Sequence, residues 1–309
     1  MSGLSSSSSV ADPLHSPLRS SVVTFTRYDM EDCKATTRSE VPTLPLTSST
    51  PSALPEEQER LFREVLSLLE TIGGSYAVAG AFALRQHTGI CRDTKDLDIF
   101  LTTEAASEVL PRFLENGFRC EVPDPTWLAK VHRDGYFVDL ITGMSNGVIV
   151  VDDSWMERSH PARVCGIESR VLAPEEMIAS KLFVTRRERF DGADIAHLVY
   201  GAHGNLQWDR ILELASEHWE LVLWSLVLFR YVYPASSDLV PQSVWQDLLS
   251  RFSKEIQSAQ AGAKFRGTLI DDAMFAIDVE EWGLENVLAE QRMRRSQIRP
   301  VSAEPGKNQ

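Results

Sequence analysis

Two aspartates two residues apart, Asp96 and Asp98, are the residues in this chain whose type and spacing first suggest chemistry. The stretch 96–101, DLDIFL, predicts a strand, and strand alternation puts Asp96 and Asp98 on one face and Leu97 and Ile99 on the other. Two carboxylates about 6.6 Å apart on the polar side of a strand repel each other unless positive charge lies between them. Hard divalent cations take oxygen ligands, so the pair predicts a site for one or two such ions. A third acid, Asp139, stands alone between Val138 and Leu140 in the apolar run YFVDLI. If the two strands are neighbours in one sheet, Asp96, Asp98 and Asp139 converge. Two metals roughly 4 Å apart suit in-line displacement at phosphorus. One would lower the pKa of an attacking hydroxyl and the other would stabilise the departing pyrophosphate.

Phosphate needs further partners, and the residues before the aspartates offer them. Tyr76–Ala79 predicts a short strand and 81–87 a helical turn or two, with Gly80 between them. A glycine there lets backbone N–H groups of Gly80 and Ala81 at a helix N-terminus approach phosphate closely. Arg92 and Lys95, in the loop 88–95, would neutralise a triphosphate, and Arg92 and Thr94 also have the chemistry to tie that loop down.

Taken together, GAFAL from Gly80, RDTKDLDI from Arg92 to Ile99 and VDL around Asp139 resemble the nucleotidyltransferase superfamily that includes DNA polymerase β. They are most similar to the minimal nucleotidyltransferases of the AbiE-type toxin group, whose RxTxDLD pattern is met here by Arg92, Thr94, Asp96, Leu97 and Asp98, and to related bacterial nucleotidyltransferases. The resemblance spans about residues 70–200. It implies a mixed sheet flanked by helices and followed by a helical region, with two Mg²⁺ ions held by Asp96, Asp98 and Asp139. Asp139 would also activate the acceptor hydroxyl. It further implies transfer of an NMP from a nucleoside triphosphate to a short RNA end, a protein or a small molecule, and a possible cognate antitoxin as partner. Downstream, PEEMIASKLFVTRRERFDGADI carries Lys181 as the match to the group's nucleotide-site lysine, while the matching aspartate is either Asp191 or Asp194. One departure is Ala81 where many members have Ser or Gly, so a hydroxyl contact to phosphate is absent. That departure also fits a catalytically inactive, nucleotide- or partner-binding member acting in regulation.

The totals narrow the rest. The chain has 309 residues, 43% hydrophobic and 24% charged, with net charge −13. These are ordinary values for a globular protein, whose fold the resemblance implies to be α+β, and contact with nucleic acid would rest on a local basic patch or on metal. Cys33, Cys91, Cys120 and Cys165 lack CxxC spacing, which predicts neither a disulfide framework nor a zinc site and fits a reducing cytoplasm. The first residues carry no secretory n- and h-region, and the apolar run 221–229 is too short to span a bilayer.

Four regions are expected: a disordered Ser/Pro/Thr-rich leader over 1–54 with a short extended piece at 22–28, a nucleotidyltransferase core over 55–173, a mostly helical region over 174–290 and a flexible tail over 291–309. Helices are expected over 55–72, 103–115 and from Pro174 through the Arg186–Arg189 cluster, and again in 191–204, 208–229 and 244–256. A hairpin is expected over 127–141 around an Asp134-Gly135 turn, and strands over 118–122, in 148–172 and in MFAIDVEEW near the end. Bland roles remain for the other polar residues. Asp191 predicts an N-cap and Asp194 a surface acid, the histidines are structural, and Trp208, Trp219, Trp224 and Trp245 are core residues.

Overall fold

The computed structural model describes residues 54–259, 261–297 and 301. The predicted leader, Leu54 apart, and with it 22–28 and Cys33, lie outside the described residues. Helix α1 (Glu56–Thr71) opens with Glu56, Glu57 and Glu59 in its first turn, where the helix dipole favours acids. Its buried stripe of Leu61, Phe62, Val65, Leu66 and Leu69 recurs at three- and four-residue spacing, so one face can pack on a sheet. Strand β1 (Ala77–Val78), helix α2 (Gly80–Thr88), strand β2 (Leu97–Phe100) and helix α3 (Thr103–Glu115) follow. The Thr102 hydroxyl caps α3 by accepting from the Ala105 N–H. Next comes β3 (Arg119–Asp124), then the hairpin of β4 (Leu128–Arg133) and β5 (Tyr136–Ile141). Asp134 and Gly135 both take positive φ between these strands, the conformation that suits a two-residue hairpin turn.

After α4 (Asp153–Arg158), strands β6 (His160–Val164) and β7 (Ile167–Val171) complete the sheet. Of the strand-like pieces in 148–172, GVIVV contributes only an isolated bridge between Gly143 and Val150. The seven strands run β3-β4-β5-β2-β1-β7-β6. Pairs β2/β5 and β1/β7 are parallel and the others antiparallel, giving the mixed sheet expected. Leu97, Ile99, Val131, Val138 and Leu140 are fully buried on one side of its centre, which leaves Asp98 and Asp139 to the other side.

From Pro174 onward the chain is mostly helical, with corrections to the expected spans. Helix α5 (Pro174–Lys181) ends well before the Arg186–Arg189 cluster, which instead lies on and between two short strands, β8 (Thr185–Arg186) and β9 (Arg189–Phe190). Burial of Leu182 and Phe183 and the ion pairs of Lys181 override the helical propensity there. Then come α6 (Gly192–Gly201), α7 (Trp208–Ala215), α8 (Trp219–Val232), α9 (Gln242–Glu255), α10 (Ala276–Glu280) and α11 (Val287–Gln297). Two more expectations fail here. MFAIDVEEW alternates like a strand, yet Asp271 accepts from the N–H groups of Ala273 and Met274 and starts a turn that leads into α10. The basic residues 291–297, expected in a flexible tail, are the end of helix α11. Arg295 is only 5% exposed and donates to Thr103 Oγ1 and the Thr126 carbonyl, while Arg292 pairs with Asp124. Trp208 and Trp219 are core residues as expected, but Trp224 is 46% exposed. No helix among the described residues is long and apolar enough to cross a membrane.

Candidate active site

Asp98 and Asp139 are register partners in the parallel pair β2/β5, so their side chains leave the same face of the sheet. Asp96 lies just before β2 and completes the group. One carboxylate oxygen from each of Asp96, Asp98 and Asp139 lies within 4.8 Å of the others, and no second His/Cys/Asp/Glu cluster suited to a metal occurs among the described residues. Thr94 turns its hydroxyl to the Asp96 carbonyl at 2.9 Å and to Asp96 Oδ1 at 3.2 Å, fixing the loop end where sequence placed it beside the triad.

Gly80 is the first residue of α2, at φ +56°, a left-handed conformation that only glycine adopts cheaply. A Cβ there would lie 2.0 Å from Asp98 Oδ2. The glycine predicted for phosphate approach is therefore also the space in which the Asp98 carboxylate sits. The first-turn N–H groups of α2, Gly80 and Ala81 among them, begin beside that carboxylate. Such groups have no intrahelical partner.

Charge is distributed unevenly over the three acids. Burial, then the neighbouring Asp96 and Asp139 carboxylates, pushes Asp98 up to about 6, against the opposing pull of Lys181 and Arg189. Among the described residues nothing hydrogen-bonds or ion-pairs with the Asp98 side chain. Burial also raises Asp139, partly offset by Lys130, whose Nζ lies 2.5 Å from Asp139 Oδ1.

Behind the triad runs a chain of five charged side chains. Arg92 grips Asp194 with two bonds, at 2.8 and 2.9 Å. Lys181 Nζ stands 2.8 Å from both Asp194 and Asp191, and Arg189 closes the chain on Asp191 at 3.0 and 3.1 Å. Three cations against two carboxylates leave one positive charge in excess, and Lys181 and Arg189 are close enough to oppose the rise at Asp98. Burial acts to raise Asp191 and Asp194, but bonds to Arg189 and the charge of Lys181 hold Asp191 low, and Lys181 with Arg92 does the same for Asp194.

Of the residues singled out from sequence, Asp96, Asp98, Asp139, Gly80, Ala81 and Thr94 are drawn together. Lys181 lies buried beside them, Arg92 is committed to Asp194, and Lys95 is exposed. Two expectations need correcting. Asp194 is a buried acid, 5% exposed, because Lys181 and Arg92 neutralise it away from water. Asp191 occupies the N-cap position of α6 but makes no side-chain cap, its carboxylate being taken by Lys181 and Arg189. The histidines stay structural where contacts show it: His87 Nε2 meets the Leu172 carbonyl at 2.7 Å.

Sequence reasoning missed Lys130, and it placed Arg189 on a charged helix face where the structure pairs it with Asp191. Lys130 was within its reach. A two-residue turn at Asp134-Gly135 pairs Arg133 with Tyr136 and, counting outward, Lys130 with Asp139.

The family whose model matches residues 58–218, just over half of the chain, is described as "Nucleotidyl transferase of unknown function (DUF2204)". No curated protein matches the chain. Among solved structures, the chain is similar to the lincosamide antibiotic adenylyltransferase LnuA in its lincomycin-bound form, at 18% identity over 46% of this chain and 95% of that one, with a TM-score of 0.33. It is also similar to ANT(2")-Ia in complex with adenylyl-2"-tobramycin, at 14% identity over 57% and 98% of the two chains, TM-score 0.37. An antigenic nucleotidyltransferase-like protein from Paracoccidioides brasiliensis matches at 15% identity over 59% and 93%, TM-score 0.37. The family match alone identifies the chain as a nucleotidyl transferase, and it does not single out the AbiE-type group.

Proposed function

Because the chain belongs to the family described as nucleotidyl transferases of unknown function, it is a transferase, and we propose that it moves an NMP from a nucleoside triphosphate to a hydroxyl acceptor in a Mg²⁺-dependent reaction at Asp96, Asp98 and Asp139. The observation that carries this reading is the unpartnered Asp98 carboxylate, grouped with Asp96 just before β2 and with Asp139, its register partner on β5. An all-oxygen donor set of three carboxylates fits a hard divalent cation. Asp96, Asp98 and Asp139 would hold it. Bound there, such an ion supplies charge neutralisation at the triphosphate and favours ionisation of the attacking hydroxyl.

The chain's own groups divide the remaining work. The N–H groups at the start of α2 and the excess positive charge of the Arg92–Asp194–Lys181–Asp191–Arg189 chain receive the polyphosphate. Asp139 accepts the proton of the incoming hydroxyl. A new bond forms from that oxygen to the α-phosphorus, the bond from the α-phosphorus to the β-phosphate oxygen breaks, and pyrophosphate leaves. In this reading residues 55–173 build the triad and 174–290 contribute the lysine and the acids behind it. The acceptor is a short RNA end, a protein hydroxyl or a small molecule.

Incubation with α-labelled nucleoside triphosphates, Mg²⁺ and each acceptor class tests the reading. Label is expected on one acceptor class with the wild-type protein and on none with Asp98→Asn. Equal transfer by wild type and Asp98→Asn overturns it.

A further inference from the structure

Across the sheet, Glu121 on β3, Lys130 on β4, Asp139 on β5 and Asp98 on β2 are successive register partners, so four ionisable side chains form one row on one face. Lys130 is the single cation in that row. Its ammonium is held from two sides, 2.5 Å from Asp139 Oδ1 and 4.1 Å from the centre of the Phe137 ring. Asp98 has no such partner among the described residues, and Asp96 has only the Thr94 hydroxyl. Two of the acids are thus left for an added cation, and the third already has one of its own.

We propose that Lys130 is the internal counter-cation of the carboxylate triad: it holds Asp139 in the cluster before a divalent ion arrives and then competes with that ion for Asp139, so that it sets the cation concentration at which the site is completed. The proposal rests on the reading of the triad as a divalent-cation site. Physically it follows from charge and place. An ammonium at hydrogen-bonding distance from one ligand repels a divalent ion bound to that ligand, and in a half-buried site this repulsion is only weakly screened. Other charges near the ammonium leave the argument intact. Glu121 opposite Lys130 is turned to His132, at 3.2 Å, and Arg119 is bound up with Glu121 at 3.9 Å. Lys130 therefore acts on Asp139 undivided.

The test is Mn²⁺ binding to the full chain, followed by electron paramagnetic resonance without nucleotide, so it does not depend on turnover. Lys130→Met keeps the length and the contact with Phe137 while removing the charge. Lys130→Gln is a second uncharged variant, in case the first does not fold, and Lys130→Arg keeps the charge. Both uncharged variants are expected to bind Mn²⁺ at least about tenfold more tightly than wild type, and Lys130→Arg within about threefold of it. The gain should vanish when Asp139→Asn is added to Lys130→Met. Unchanged or weaker Mn²⁺ binding in the uncharged variants, with wild-type binding still lost in Asp98→Asn, overturns the role of Lys130 alone. Wild-type binding indifferent to Asp98→Asn overturns the cation-site reading itself, and the role of Lys130 with it.

Discussion

Replacing Gly80 by alanine tests the site at its tightest point. The added Cβ would stand 2.0 Å from Asp98 Oδ2 and 3.1 Å from its Cγ. Ordinary contact begins near 3.4 Å, so either the α2 N-terminus or the Asp98 carboxylate must move by about 1 Å or more. Alanine at φ +56° adds a backbone penalty of roughly 1 kcal/mol. The carboxylate is the softer of the two, so most of the displacement falls on it. Global stability should drop by only about 1–2 kcal/mol, or roughly 2–8 °C in melting temperature for a domain of this size. Activity should drop far more, since a misplacement of about 1 Å at a reacting centre is worth about 100-fold. Thermal melting paired with steady-state pyrophosphate release reads both effects. A Gly80→Ala protein that melts slightly low yet turns over within about threefold of wild type would refute the argument that Gly80 is the space Asp98 needs.

Other outcomes follow from the charges. With Asp98 raised to about 6 in the fold and an unfolded aspartate near 3.9, the native state holds the extra proton between those values. The contribution of Asp98 to stability, read as the difference between wild type and Asp98→Asn without divalent ions, should therefore fall as pH rises from about 4 to 6, by about 3 kcal/mol, and level off above. Asp98→Asn, melted in chelator at pH 8, should be more stable than wild type, and a lower melting temperature contradicts the buried-repulsion account. Lys181→Met removes the ammonium shared by two buried acids and should cost about 3 kcal/mol in urea unfolding. Lys95→Met, at an exposed loop position, should stay within about 0.5 kcal/mol, and equal losses would contradict the network. Arg189→Ala leaves Asp191 its bond to Lys181 and removes a side chain that is 68% exposed. It should raise the KM for nucleotide about tenfold at nearly unchanged melting temperature, whereas a kcat effect alone would argue against a role for Arg189 in phosphate binding.

What sequence could reveal followed the range of the interactions. The alternation of DLDIF, the Asp-Gly turn and the Pro174 helix start are local signals, and β2, the β4/β5 hairpin and the start of α5 match them. The pairing of Asp98 with Asp139 was only conditional in sequence, because α3, β3 and β4 intervene and parallel pairing leaves no turn signal. The buried state of Asp194 was not legible at all. It depends on Arg92, 102 residues earlier, and on Lys181 being carried back by the β8/β9 hairpin that interrupts an otherwise helical pattern. MFAIDVEEW shows the converse limit: its alternation predicts a strand, yet the local bonds of Asp271 set a turn and a short helix there instead.

The most direct test of the account is an anomalous difference map from crystals grown with Mn²⁺ and a non-hydrolysable nucleoside triphosphate. The account predicts density for the metal bounded by Asp96, Asp98 and Asp139, with the triphosphate against the start of α2. Metal and nucleotide bound elsewhere, with these three carboxylates free of both, would contradict it.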